Sequence, residues 1–295
     1  MSTPAWLTEP SLQRWRSRGA MSAIHFTDFR GCAGGESGQN RRVAFILRAL
    51  SVMLVLAMAG PVCHAEDCNA TVLREIAAMP LGGEYGTTRV ATVALVRAAH
   101  FESGKFFVLP APDTPSFCSG ATYLVFLKAI EQLERDGRVK LDADTMESLV
   151  IRDGQRDGEG VWGRWNANGP GTARLFFELG LGRNFTDFAQ ARPGDFMKIF
   201  WTDEVGSLEH GHSVVYLGED VENGVASVRF WSSNIPGGYG EKSVPRSRIV
   251  HAIFSRLEAP GNLANIKGVP EVDPYLAGLI ANRSSYAEAL AKCGL

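Results

Sequence analysis

Two short stretches carry residue types from which a thiol reaction can be built. In SFCSGATYLVFLKAI, Ser116 to Ile130, a cysteine stands directly before a long apolar run. In EHGHSVVYLGE, Glu209 to Glu219, two histidines open a run with the alternation of a strand. A cysteine at a helix N-terminus meets unsatisfied N–H groups and about half a unit of positive charge, and both favour the thiolate. The thiolate is the nucleophilic form, and a neighbouring imidazole lowers the thiol pKa further from its ordinary value of about 8.5. Cys118 is therefore a candidate nucleophile, and His210 and His212 are candidate bases. Strand alternation puts His210, His212, Val214 and Tyr216 on one face. Ser119 and Gly120 are small enough to let a substrate carbonyl approach the backbone, so Ser119 is a candidate substrate contact.

The same residues have plainer readings. Cys118 also suits a buried structural thiol, and His210 with His212 has the H-x-H spacing of a metal pair. A closed zinc site needs further ligands, and neither C-x-x-C nor H-E-x-x-H is present, so no metal and no cofactor are expected.

Elements must hold these residues in place. The spacing predicts a first helix over NATVLREIAA, stopping at Pro80, and a second over TTRVATVALVRAAHF, running to about His100. GKFFVLPAPDTPSF, with three prolines in six residues, reads as an extended loop. From Cys118, apolar residues at Ala121, Leu124, Val125, Ala129 and Leu133 mark a buried helix that stops near Gly137. DADTMESLVI opens with capping residues and reads as a short helix. RDGQRDGEGVWGRWNANGPGTA is glycine-rich and reads as a long loop, in which Trp162, Trp165 and Asn168 are either structural or line a substrate groove. ARLFFELGLG is a helix ended by glycine. The period then shifts to two over ARPGDFMKIFW, EHGHSVVYLGE and GVASVRFWSSN, with Glu222-Asn223-Gly224 as a turn. PRSRIVHAIFSRL reads as a short strand or helix, and the chain closes on a C-terminal helix. Helices followed by strands predict an α+β fold, with N-terminal helices packed on a central antiparallel sheet.

Three blocks, FCSGATYLVF, RPGDFM and GHSVVYLG, in this order, resemble the NlpC-type cell-wall peptidases of the papain-like superfamily. Those have D-C-S-G at a helix start, a P-G-D turn into a strand, and H-V-G-I-Y-L-G. The resemblance spans roughly residues 115–234. It implies a papain-like fold, Cys118 as nucleophile and His212 as base, since His212 directly precedes the strand. It also implies a polar third residue on the following strand, where Ser232, Ser233 and Asn234 are candidates. Asn234 leads, because an amide oxygen fixes an imidazole tautomer. The chain departs from the pattern at Phe117, where the family has aspartate, and GKFFVL stands in the region of the family's Y-x-W-G-G.

Residues 1–65 read as an N-terminal extension and secretion signal. Arg41, Arg42 and Arg48 precede the apolar run ALSVMLVLAMAG, and Cys63 and Ala65 stand at −3 and −1 of a cleavage point before Glu66. A mature chain over 66–295, one domain, would be secreted to a periplasmic or extracellular space, with no stable membrane insertion. A net charge of −2, from 30 Lys and Arg against 32 Asp and Glu, gives nucleic acid little to recognise. Cys68, Cys118 and Cys293 remain after cleavage, and the two near the termini, Cys68 and Cys293, are expected to form a disulfide.

The expected protein is a secreted thiol hydrolase, an amidase or endopeptidase whose partner is a cell-wall peptide or peptidoglycan. One alternative is a non-catalytic wall- or glycan-binding module, with Trp162, Trp165 and Trp231 as its stacking surface. The other is a thiol acyltransferase using the same dyad.

Overall fold

The computed structural model describes residues 67–295, so the expected signal and its cleavage point lie outside the described residues. Asp67 caps the first helix, α1 (Cys68–Ala77), by accepting the Asn69 N–H. It is followed by α2 (Arg89–Ala98), β1 (Ala99–Glu102), β2 (Lys105–Val108) and α3 (Cys118–Arg135). Three short helices come next, α4 (Ala143–Ser148), α5 (Gly160–Asn166) and α6 (Gly171–Leu179). The strand-rich part comprises β3 (Gly182–Phe185), β4 (Phe196–Phe200), β5 (Val205–Gly206), β6 (Gly211–Glu222), β7 (Val225–Asn234), β8 (Gly238–Pro245) and β9 (His251–Leu257). The chain ends with α7 (Pro274–Gly278), β10 (Arg283–Ser284) and α8 (Tyr286–Lys292).

The fold is α+β. Six strands form a sheet in the order β3-β9-β4-β6-β7-β8, with every neighbouring pair antiparallel. Helix α3 lies on one face, where Leu124, Val125, Phe126 and Leu133 are buried with Phe196, Val215 and Trp231 of the sheet. Met197, Ile199, Val214, Tyr216, Phe230 and Phe254 form a second apolar cluster. Alternation along β4, β6 and β7 assigns that cluster to the opposite face.

Three expectations need correction. The second helix does not reach His100. It stops at Ala98, and residues 99–108 form a hairpin because Ser103 and Gly104 both take positive φ (52° and 76°), a tight reversal that pairs His100 with Phe107. The glycine-rich stretch is not one long loop, since it contains α5 and the start of α6. Its glycines mark close contacts as much as turns: a Cβ on Gly163 would lie 2.1 Å from the Arg156 carbonyl oxygen, and one on Gly171 2.4 Å from that of Arg164. The C-terminal segment is two short helices with a strand pair between β10 and β5, rather than one helix.

The Cys68–Cys293 bridge is also not formed. Both thiols are free and buried, Cys68 among the α1 and α3 side chains and Cys293 in a separate cluster with Ala173, Phe200, Val205, Ile253 and Ala289. Each end of the described chain is held by its own patch of core, so closeness of the termini is not required.

A buried charge network anchors the strand that leads into the site. Asp195, in the ProGlyAsp turn before β4, accepts from Arg256 Nε (2.7 Å) and Nη2 (2.6 Å), from Asn69 Nδ2 (2.8 Å) and from the Arg192 N–H (2.7 Å). It ties α1, the turn and β9 into one unit, with both ionic side chains at most 3% exposed. Removing one partner of a buried pair strands the other charge. Arg256→Met is therefore expected to destabilise the protein by about 3–5 kcal/mol in urea unfolding. A loss within the range of about 0–1 kcal/mol typical of exposed pairs would show that the network does not anchor the sheet.

Candidate active site

Cys118 is the first residue of α3, and the preceding Phe117 offers no side-chain hydrogen bond to cap it. The free N–H groups of the first turn are thus left without a side-chain acceptor at the point where the sulfur sits. Most helices end there in Ser, Thr, Asp or Asn. Here Phe117 packs instead against Trp162, with ring centroids 6.2 Å apart.

The sheet opens beside this helix start. The β6–β7 register runs from Glu222–Val225 to Val215–Trp231, yet β6 continues to Gly211 and β7 to Asn234. Beyond that last pair the two strands part, and the helix N-terminus touches both. Ser116 donates from its hydroxyl to Ser233 Oγ at 2.8 Å, while the sulfur of Cys118 is held by the Ser213 N–H. The Ser213 carbonyl is met by the Ser232 hydroxyl at 2.7 Å. His212 projects from the opposite face, against Phe230 and Trp201, and meets the sulfur where the strands part.

Asn234 completes the chain. Its Oδ1 lies 3.1 Å from His212 Nε2, and its Nδ2 donates to the carbonyls of Ser232 (3.2 Å) and Gly240 (2.8 Å). With both amide hydrogens engaged, the amide oxygen faces the ring. Nε2 then carries a proton and Nδ1 is left for Cys118. Burial alone would raise the Cys118 pKa. The hydrogen bond and charge of His212, the Ser213 N–H and the charge of Lys198 reverse that and lower it to about 6.

The structure thus brings together Cys118, His212 and Asn234, and sorts the alternatives. Ser232 and Ser233 are spent on Ser213 and Ser116, and His210 is exposed ahead of the strand. Ser119 lines the cleft but donates its hydroxyl to Asn166 Oδ1 at 2.7 Å. Gly120 faces the core, where a Cβ would press on Leu95 at 3.1 Å and Phe117 at 3.3 Å, so its smallness serves packing rather than substrate.

The tryptophans do not line the cleft. Trp162, Trp165 and Trp231 are 4%, 1% and 1% exposed. Trp162 and Trp165 pack on Tyr123 of α3, Trp165 donates from Nε1 to Thr122 Oγ1 at 3.2 Å, and Trp231 stacks on Tyr239. As substrate contacts, all three are corrected to core residues.

Residues outside the two motifs also reach the site. The segment around Tyr85 forms a parallel bridge with Ser116, through Gly86 N–H to Ser116 O (2.9 Å) and Ser116 N–H to Glu84 O (2.8 Å). This sets the Tyr85 hydroxyl 4.0 Å from the sulfur. Burial and then the nearby Cys118 raise the Tyr85 pKa, so it stays a donor. Tyr85 lacks any periodic context in GGEYGTT, and only the bridge reveals it. A cleft of about 440 Å³ opens over these groups, lined also by Asp157, Asn166, Asn168, Lys198 and Glu209. Among the described residues there is no group of three or more His, Cys, Asp or Glu side chains able to hold a metal ion.

Compared with known protein families, characterised proteins and solved structures, the chain finds no match in any of the three.

The three thiols should differ sharply in reactivity. Iodoacetamide labelling of Cys118, followed by peptide mass mapping, is expected to titrate near pH 6. Cys68, raised by burial, and Cys293, pushed up to about 12 chiefly by burial, should stay unlabelled in the folded protein. Labelling of Cys118 that appears only around the ordinary thiol pKa of about 8.5 would contradict the contact with His212.

Proposed function

We propose that the protein is a secreted thiol hydrolase of the papain-like, NlpC-like kind, an amidase or endopeptidase acting on cell-wall peptides. The observation that carries this reading is the chain of contacts from Cys118, which lines an open cleft, through His212 to Asn234 behind it. Sulfur, imidazole and amide stand in the order and roles of a Cys-His-Asn site.

The Cys118 thiolate attacks the amide carbonyl carbon, forming a C–S bond. The developing oxyanion meets the Cys118 N–H at the uncapped helix start and the Tyr85 hydroxyl. Protonated His212 then gives its Nδ1 proton to the departing amine, and the C–N bond breaks to leave a thioester. Water attacks the thioester with His212 now accepting the proton. A carboxylic acid leaves, and the dyad returns to its starting state. Asn234 keeps the ring in register throughout, as its own amide is held by two carbonyls.

Two observations weigh against the alternatives. A glycan-binding module would need the tryptophans as a stacking surface, and all three are in the core. An acyl-chain transferase would favour an apolar cleft, and Asp157, Asn166, Lys198 and Glu209 line this one. The secretion step rests on the sequence pattern of residues 41–65 alone.

Cys118→Ala is expected to abolish release of amide fragments from purified sacculi while leaving circular dichroism and thermal unfolding unchanged. Retained release would defeat the mechanism. Tyr85→Phe removes one oxyanion donor and should lower kcat by about 10²–10³ with little change in KM. An unchanged kcat would remove Tyr85 from the oxyanion site.

A further inference from the structure

A second concavity runs between α2 and the segment that follows β2. Its volume is about 570 Å³, and it shares no lining residue with the cleft at Cys118. Its walls are methyl groups, from Val90, Val93 and Ala94 on α2 and from Leu109 and Ala111 on the opposite segment. Val90 is 63% exposed and Leu109 68%, so each wall leaves a large apolar side chain to water.

The charges along this groove are all of one sign. Arg89 and Arg97, the first and ninth residues of α2, both line it, about 12 Å apart along the helix. No acidic side chain does. Arg89 meets Asp153 at 3.4 Å, with both side chains mostly exposed. Arg97 has neither an ion pair nor a side-chain hydrogen bond among the described residues.

Free backbone groups are scarce there. Past the first turn, the amides of α2 bond within the helix. The Ala98 carbonyl accepts the Leu109 N–H at 2.7 Å, and Pro110 and Pro112 have no N–H to offer. The Thr114 hydroxyl donates to the Ala111 carbonyl at 3.1 Å. A peptide laid in the groove would turn amides towards methyl walls with nothing to pair them. A hydrocarbon chain has no such groups, and it gains from every methylene taken out of water. A free guanidinium suits a carboxylate head, which it can hold through two parallel N–H···O bonds.

We infer that this groove binds a long-chain fatty carboxylate, with the acyl chain between α2 and Leu109 and the head on Arg97. The inference goes beyond the hydrolase reading. It concerns a surface apart from the sulfur, makes or breaks no bond, and holds or fails independently of turnover.

The test is titration calorimetry of the protein with sodium decanoate, kept below the concentration at which it forms micelles. Saturable binding at one site is expected. Sodium dodecanoate should bind about tenfold more tightly, since two more methylenes leave water. Decyl glucoside, with the same chain and a neutral head, should bind at least about tenfold more weakly than decanoate. Arg97→Gln should remove that preference, and Leu109→Asp should abolish decanoate binding by setting a like charge in the groove. Both positions are exposed, so both variants are expected to keep the circular dichroism of the unsubstituted protein. No binding of decanoate, equal affinity for the glucoside, a preference unchanged in Arg97→Gln, or full binding in Leu109→Asp would each overturn the proposal. Binding to anionic phospholipid vesicles without binding of monomeric decanoate would assign this face to a membrane surface, and would overturn it as well.

Discussion

The site depends on two antiparallel strands that stop pairing before they end. At Val215–Trp231 the β6–β7 ladder closes, and the last residues of both strands run on without each other. Backbone groups freed by that parting are costly to leave unmet in a protein interior. Here they are met by other partners: the Ser213 N–H goes to the Cys118 sulfur, and the Ser213 carbonyl to the Ser232 hydroxyl. The gap also lets a histidine from one face of the sheet meet a helix packed on the other. Without it, His212 and Cys118 would be separated by the thickness of the sheet.

A second constraint acts on the helix itself. Phe117 forgoes a polar cap, which leaves the positive end of α3 for the sulfur and packs its ring with Trp162 beneath the helix start. Burial and charge then compete. Desolvation of the thiolate is unfavourable, and imidazole, backbone N–H and the lysine charge outweigh it. On the proposed reading, an oxyanion would form beside these groups, against the Cys118 N–H and the Tyr85 hydroxyl.

Much of this scaffold was legible in the sequence, for identifiable reasons. The α3 helix is long and its apolar residues keep one period, so its start at Cys118 follows from the pattern. The β6–β7 hairpin follows from Asn223-Gly224, both at positive φ, between alternating runs. Asn234 could be placed on the strand after the histidine strand, but its contact with His212 depends on the parting of the strands, which no residue type announces. Trp162 and Trp165 misled because aromatics among glycines read as a surface loop. In the fold those glycines let α5 and α6 approach other backbone closely, and the rings fill the core under α3. Tyr85 and Lys198 were not legible, because a parallel bridge and a strand register bring them to the sulfur from distant segments.

The central claim is that the sulfur of Cys118 and the ring of His212 form one ionising unit across the opened strands. Thiolate ultraviolet absorbance against pH, with the Cys118→Ala profile subtracted, reads it directly. The account predicts that the Cys118 signal rises near pH 6 and moves up towards the ordinary thiol range in His212→Ala. An absorbance step that is the same with and without the histidine would contradict it.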